Sequence, residues 1–262
     1  MGLVVHRGRE EAVDFAAELT AAAQRLGIDV VVEAEGGSGP GEAVDLLVAV
    51  GGDGTMLDTV RHALTLDVPV IGFNLGTIGF LAAAEREDAP AVMAALASGD
   101  YRVVERSTVQ ADMPGGSDVG LNDVVVEKID SQRLVELDLE VDGRHFLRYR
   151  ADGVVFSTPT GSTAYGFSAG GPLMDPRMEA LIVTPVAPHS LFGRTVVVPG
   201  DSEIRCRVAR NRPVQVSVDG RVIGTLSEGD RVAIRRGPRP VKFIEVEQVP
   251  FTSQVRRKFG LG

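Results

Sequence analysis

The chain has 262 residues and a mass of 27.7 kDa, enough for one large domain or two modest ones. Hydrophobic residues make up 44% and charged residues 24%, which excludes a disordered chain and a coiled coil. With 27 lysines and arginines against 36 acids, the formal charge is −9, which argues against a nucleic-acid or anionic-membrane binder. Arg256-Arg257-Lys258 is the one basic run and reads as a solvated tail. Cys206 is alone, so no intramolecular disulfide is possible, and His6, His62, His145 and His189 lack zinc-ligand spacing. No apolar run approaches the length of a membrane-spanning helix. Together these features predict a soluble, cytoplasmic protein.

The first hundred residues alternate strand and helix. Leu3-Val4-Val5 is a short apolar strand. Val13, Ala16, Leu19, Ala23 and Leu26 then recur at helical spacing from Glu10 to Leu26, with Gly27 as the stop. A second strand is expected over Ile28 to Val32, and a glycine-rich loop over Gly36 to Gly41. Leu46 to Val50 is continuously apolar, as in a parallel strand covered on both faces. A helix is expected from about Thr55, a strand over Val68 to Phe73, and a helix N-capped by Asp88 that runs to Ser98 and closes at Gly99. Such alternation implies a parallel sheet with crossover helices.

The period changes near Arg106. Val135, Leu137, Leu139 and Val141 alternate with Glu136, Asp138 and Glu140, the pattern of a strand with one wet face, and Asp142-Gly143 supplies a tight turn. Further strands are expected over Thr195–Val198, Ile204–Val208, Val214–Val218 and Val232–Ile234, with Asp219-Gly220 as a second hairpin turn. A short helical turn near Ser168 is the one interruption. The fold class is therefore an α/β N-terminal domain with a Rossmann-like parallel sheet, followed by an all-β sandwich.

The sharpest local signal is Gly51-Gly52-Asp53-Gly54-Thr55, set between a buried strand and the next helix. Ligands of open α/β sheets bind at the carboxyl ends of the strands, where glycine lets backbone approach a phosphate and a helix start offers free N–H groups. A carboxylate would repel a bare phosphate. Asp53 makes sense if it accepts a proton from an attacking hydroxyl or holds a metal that holds the phosphate. The motif lacks the lysine of a P-loop, and Leu57 stands where a dinucleotide fingerprint needs glycine. Gly72 to Gly79 follows the next strand and gives a second flexible turn at the same edge. The run Ser157 to Pro172 concentrates hydroxyls, glycines and Tyr165, which suits hydrogen bonding to a sugar, a phosphate or a base edge. Asn122-Asp123 and Arg150-Ala151-Asp152 precede apolar strands and offer groups for a ribose or adenine edge, but by themselves read more often as strand-end caps or turns than as ligand contacts.

Taken together, Gly51-Gly52-Asp53-Gly54-Thr55, Asn122-Asp123 and the Thr158-to-Pro172 run resemble the NAD kinase family, over nearly the whole chain. The first motif is shared with lipid kinases and phosphofructokinases; the long run is specific. The resemblance implies NAD bound between an α/β domain, residues 1–105 joined by a returning segment 240–262, and a β-sandwich domain, residues 106–239. It implies transfer of the γ-phosphoryl of ATP, or of polyphosphate, to the adenosine ribose 2′-hydroxyl, with Asp53 as proton acceptor and Gly54 beside the same nucleotide. Gly51, Gly52, Gly54 and Thr55 would form the phosphate-donor turn, with a divalent ion such as Mg2+. Dinucleotide contacts are expected at Asn122, Asp123, Thr163, Ala164, Tyr165, Gly166, Phe167, Ser168 and Ala187, with Arg150 and Asp152 reaching from a neighbouring subunit. Arg133 and Arg221 align loosely with contacting positions. A homodimer or homotetramer follows from the same resemblance. One position departs: the family has glutamate where this chain has Asp123, one methylene shorter. The rival readings are a lipid kinase and a non-catalytic NADP(H)-binding sensor.

Overall fold

The computed structural model describes residues 1–6, 8–34, 36–37, 44–76, 79–82, 84–130, 133–210 and 212–261. Most of the expected Gly36–Gly41 loop, and Thr77-Ile78 of the second glycine-rich turn, lie outside them. The chain divides into two compact units, Met1–Glu105 with Val241–Gly262, and Arg106–Pro240. Among the described residues no helix is long and apolar enough to cross a membrane.

The elements run, in chain order, β1 (Gly2–Val5), α1 (Glu10–Arg25), β2 (Val31–Ala34), β3 (Leu47–Gly51), α2 (Asp53–Leu66), β4 (Val70–Asn74), β5 (Ala84–Glu85), α3 (Ala89–Ser98) and β6 (Arg102–Arg106). The second unit contributes β7 (Val109–Met113), β8 (Gly116–Gly120), β9 (Asp123–Lys128), β10 (Val135–Val141), β11 (Arg144–Ala151) and β12 (Gly153–Ser157). A short 3-10 turn at Thr160–Thr163 and α4 (Tyr165–Ser168) follow, then β13 (Ala180–Val186), β14 (Val196–Pro199) and β15 (Ile204–Val208). β16 (Val214–Val218), β17 (Arg221–Leu226) and β18 (Arg231–Arg236) complete that unit, and β19 (Val241–Glu245) and α5 (Phe251–Phe259) return to the first.

The first unit is built on one sheet of order β2-β1-β3-β4-β19-β6, with β5 also paired to β4. The pairings of β1 with β2 and β3, and of β4 with β3, β5 and β19, are all parallel. β1 and β3 are buried along their whole length, which is why they read as continuous apolar runs. Phe15 of α1 meets Phe73 of β4 edge-on at 5.3 Å between ring centroids, at the heart of that core. The strand order reverses between β1 and β3, so the carboxyl ends of these two strands form the topological switch point of the sheet. Asp53 is the residue that opens α2 there.

The second unit is a sandwich of two six-stranded sheets, β11-β10-β15-β18-β7-β8 and β14-β13-β12-β9-β16-β17. Alternate residues of both sheets meet in one core that includes Val124, Leu137, Tyr149, Phe156, Ile204 and Val216. Asp142 and Gly143, and Asp219 and Gly220, have positive φ at the two tight turns expected from their Asp-Gly pairs.

Several boundaries differ from the sequence expectation. β2 starts at Val31 rather than Ile28, because Leu26, Gly27 and Ile28 donate back to Ala23 and Gln24 and close the end of α1. α2 begins two residues before Thr55, with Gly52 as its N-cap. Asp88 precedes α3, but its carboxylate accepts the Glu85 N–H of the preceding 3-10 turn rather than capping α3. The face of β10 expected to be wet is not uniformly so. Asp138 is only 5% exposed, between Arg148 of β11 and Arg207 of β15. The Arg148 hydrogen bond holds its carboxyl below the usual range, against the opposing effect of burial.

A depressed carboxyl stabilises the fold above its unfolded pKa and loses that contribution as pH falls. Asp138→Asn should therefore cost about 1–3 kcal/mol at neutral pH, a penalty that shrinks below about pH 4. Urea unfolding across pH checks this, and an undiminished penalty in acid would count against the assignment.

Candidate functional site

Each unit presents one cluster. In the first, β3 ends at Gly51, and a Cβ there would lie 2.3 Å from Thr55 Oγ1 and 3.2 Å from His6 Cβ, so only glycine lets the start of α2 fold back this closely. Gly52 is extended at φ −110° and accepts the first helical bond from Met56 N at 3.0 Å. Asp53 is thus the first helical residue, and the N–H groups of this first turn have no intrahelical acceptor. Its carboxylate turns toward the segment after β4, where Oδ2 accepts Phe80 N–H and Oδ1 accepts Leu81 N–H, each at 3.3 Å. A Cβ at Gly79 would sit 2.1 Å from Asp53 Oδ1, so the second glycine-rich turn acts as a mould for this carboxylate. These two long bonds leave lone pairs of both oxygens open to a further donor or a cation.

A residue that sequence reasoning passed over joins this edge. Arg9, the residue before α1, donates from Nη1 to Leu75 O at 3.1 Å and brings its guanidinium beside Gly76. Its place just after β1, at the switch point, was the signal that could have found it.

In the second unit the Ser157–Pro172 run packs onto the start of β9. Thr158 N donates to Asn122 O at 2.9 Å, and Thr158 Oγ1 donates to Leu121 O at 2.7 Å. A Cβ at Gly161 would come within 2.0 Å of that Asn122 oxygen. Ser162 Oγ donates to Pro159 O and accepts Met174 N, which closes the loop. Two hydroxyls of the run, Thr158 and Ser162, therefore brace the loop.

Other groups remain open. Asn122 Oδ1, Ser157 Oγ and Thr160 Oγ1 are buried without a hydrogen-bond partner among the described residues, and Asn122 and Asp123 are themselves buried. Leaving a buried polar atom unpaired costs about 1–3 kcal/mol, so three on two hydrogen-bonded segments mark a place for an external polar group. Burial, and then the charge of Asp219, push the Asp123 carboxyl up to about 7. The Tyr165 phenol is raised by burial and then by the carboxylates of Glu127, Asp152 and Asp123. Asp152 is held by Lys128 at 2.6 Å, a cation the sequence reading did not single out.

The remaining expected residues divide. Thr163, Ala164 and Gly166 lie on the same braced loop, with Phe167 and Ser168 exposed on α4 beside Tyr165. Ala187, at a left-handed φ of 44°, directly follows Val186, whose carbonyl accepts Asp152 N–H at 3.0 Å. Arg150 Nε lies 3.7 Å from Glu136 Oε1. Arg133 is exposed on the β9–β10 connection, and Arg221 is paired with Asp118.

A parallel sheet with a carboxylate at its switch point, joined in sequence to a sandwich with a buried amide–carboxylate pair, defines a two-domain nucleotide-binding protein whose carboxylate suits phosphoryl transfer. The ATP-NAD kinase N-terminal domain matches residues 40–101 and the ATP-NAD kinase C-terminal domain residues 121–246. The sequence is 39% identical to NAD kinase 2 of Streptomyces coelicolor, with 99% of this chain and 93% of that protein covered. It is 36% identical to the NAD kinase of Corynebacterium jeikeium over 99% of this chain and 87% of the other. Yeast NADH kinase complexed with NADH superposes with a TM-score of 0.87 at 26% identity, covering 99% of this chain and 87% of that one. The NAD kinase of Archaeoglobus fulgidus in complex with ATP gives 0.78 at 27% identity, covering 99% and 96%. The chain belongs to the ATP-NAD kinase family.

Two outcomes follow from this geometry. Gly79→Ala should displace the Asp53 carboxylate and lower kcat by about 100-fold or more, while the thermal midpoint moves little, because the displaced group is half-exposed. Steady-state kinetics beside a melting curve separates the two effects. The second concerns Asp123. A carboxyl raised by folding binds more protons in the native state, so it destabilises the protein as pH rises from its unfolded value through about 7. Asp123→Asn should therefore be more stable than the parent by up to a few kcal/mol at about pH 8, and no more stable near pH 4. Denaturant titrations at the two pH values measure it.

Proposed function

We propose that the protein phosphorylates NAD, moving the γ-phosphoryl of ATP onto the 2′-hydroxyl of the adenosine ribose to give NADP. The observation that carries the reading is the Asp53 carboxylate at the first residue of α2, moulded by Gly79 and oriented by the N–H groups of Phe80 and Leu81. Phosphoryl transfer needs mainly positioning and charge stabilisation, plus a group to take the hydroxyl proton. Asp53 takes that proton as the phosphoryl group arrives. Gly51, Gly52, Gly54 and Thr55 hold the donor phosphates with the first-turn amides of α2, and the Arg9 guanidinium adds a positive charge at the same sheet edge. The buried oxygens of Asn122, Ser157 and Thr160 suit adenine and ribose donors, and the Asp123 carboxylate suits ribose hydroxyls.

Among the described residues no three His, Cys, Asp or Glu side chains gather into a metal cage. A magnesium ion carried by the ATP phosphates would be held by the Asp53 carboxylate, and would supply neutralisation of charge on the transferring group. Inorganic polyphosphate is a second donor that the same turn would accept. The protein works in the cytoplasm as a homodimer or homotetramer, Arg150 and Asp152 meet the far half of the dinucleotide of a neighbouring subunit, and Ala187 is a further dinucleotide contact.

Purified protein with ATP, Mg2+ and NAD should form NADP. Asp53→Asn should lower kcat by about 10²–10⁴-fold, the worth of a positioned base, with the KM for NAD changed only a few-fold. Near-parental turnover in that variant would remove Asp53 as the proton acceptor.

A further inference from the structure

The Asp219-Gly220 pair was expected to serve only as a hairpin turn. Its aspartate does more. Asp219 stands at φ 47° between β16 and β17, a left-handed conformation that aspartate tolerates better than most residues. Its side chain folds inward rather than out to solvent. Oδ2 accepts Leu121 N–H at 2.7 Å, and Oδ1 accepts Asn122 N–H at 2.8 Å and Asp123 N–H at 3.1 Å. Its own backbone N–H donates to Asp123 O at 3.0 Å.

The other polar groups of this tripeptide point to Thr158, which donates from Oγ1 to Leu121 O and from its backbone N–H to Asn122 O. Every N–H and every C=O of Leu121–Asp123 is thus engaged by Asp219 or Thr158. The chain makes room for this clamp: a Cβ at Gly120 would lie 2.6 Å from Val218 Cγ1 and 2.8 Å from Asp219 Oδ1. A buried carboxylate is costly to ionise, and three N–H bonds offset part of that cost. Burial raises the Asp219 carboxyl while those same bonds lower it.

We infer that Asp219 is a positioning residue of the dinucleotide site, whose carboxylate fixes the backbone of Leu121–Asp123 and so aims the Asn122 and Asp123 side chains at the ligand. The inference rests on the reading of that pair as NAD contacts. Asp219 acts in a second way through its charge. The titratable groups around Asp123 are Asp219 from the β16–β17 turn and Tyr165 from α4, with the Asp118–Arg221 pair behind Asp219 and Glu127 and Asp152–Lys128 around Tyr165. Asp219 is the charge that adds to burial in keeping the Asp123 carboxyl near 7. Because an ionised carboxylate accepts from both ribose hydroxyls, NAD affinity should rise as pH climbs through neutrality, and Asp219 should set where that rise falls.

The test compares the parent with Asp219→Asn and Asp219→Ala in the full chain, with KM for NAD and for ATP measured from about pH 5.5 to 8.5 beside thermal melts. Asparagine keeps the size and one acceptor oxygen, so it retains the fold if alanine does not. At about pH 8.5, where Asp123 is ionised in every variant, Asp219→Asn should raise KM for NAD about 5-fold or more and leave KM for ATP within about 2-fold. The pH midpoint of KM for NAD should move down by about half a unit or more in the same variant. A merely structural role would lower the folded fraction, and with it the apparent kcat, without moving that midpoint. Equal rises for both substrates, or an unmoved midpoint, would overturn the inference. A parent that forms no NADP would remove the reading beneath it, which is a different result.

Discussion

Both clusters depend on backbone that comes closer than any side chain would allow. At Gly161 the space of a Cβ is already taken by the Asn122 carbonyl, and at Gly79 by the Asp53 carboxylate. These are contacts between a functional residue and a bare peptide, and they fix position without a partner side chain that could swing away. A moulded carboxylate holds its direction at little entropic cost on ligand arrival, because its rotamer is already chosen. The same closeness explains why glycines crowd these segments while the strands beside them are branched and apolar. The sheet and the sandwich supply rigidity, and the glycines let the loops use it.

Holding polar groups in position carries a cost inside the second unit. Asp123 and Asp219 are neighbouring buried carboxylates, and three oxygens nearby lack partners. A protein concerned only with stability would replace them with packed hydrocarbon. In a unit whose main core is apolar, they are the physical mark of a site shaped for a polar ligand, which would satisfy what folding leaves open. The hydrogen bonds from Leu121, Asn122 and Asp123 onto Asp219 keep this arrangement from relaxing.

Much of this was legible in the sequence. The continuous apolar run before Gly51 placed the carboxylate motif at a strand end, and alternation after Arg106 marked the change to antiparallel sheets, because both patterns report burial directly. The Asp-Gly pairs gave two hairpins through their need for positive φ. What stayed hidden were contacts between residues far apart in the chain. Asp138 looked solvated because periodicity does not show that Arg148 and Arg207 close over it from the strands on either side. Lys128 beside Asp152, Arg9 beside Gly76 and Asp219 beneath Leu121 are likewise products of register and topology. Thr158 and Ser162 show the reverse error: a hydroxyl-rich run looks wholly available for a ligand until its own loop is seen to consume part of it.

Charge distribution sharpens the role of the switch-point turn. The sandwich unit carries as many lysines and arginines as acids, so the excess of nine acids lies entirely in the unit that bears Asp53. A nucleotide triphosphate is thus not drawn to that unit by its net field, and long-range attraction would in any case be screened within about 8 Å at physiological salt. Under the proposed reading, binding there would depend on short-range groups: the amides at the start of α2, the Arg9 guanidinium, and a cation carried by the phosphates. Such groups would act where charge moves during transfer rather than on the approach, which is where electrostatics accelerates a reaction instead of only tightening the ground state. A carboxylate set among them is costly for a plain phosphate cradle, and the proposed proton acceptance by Asp53 accounts for its presence there.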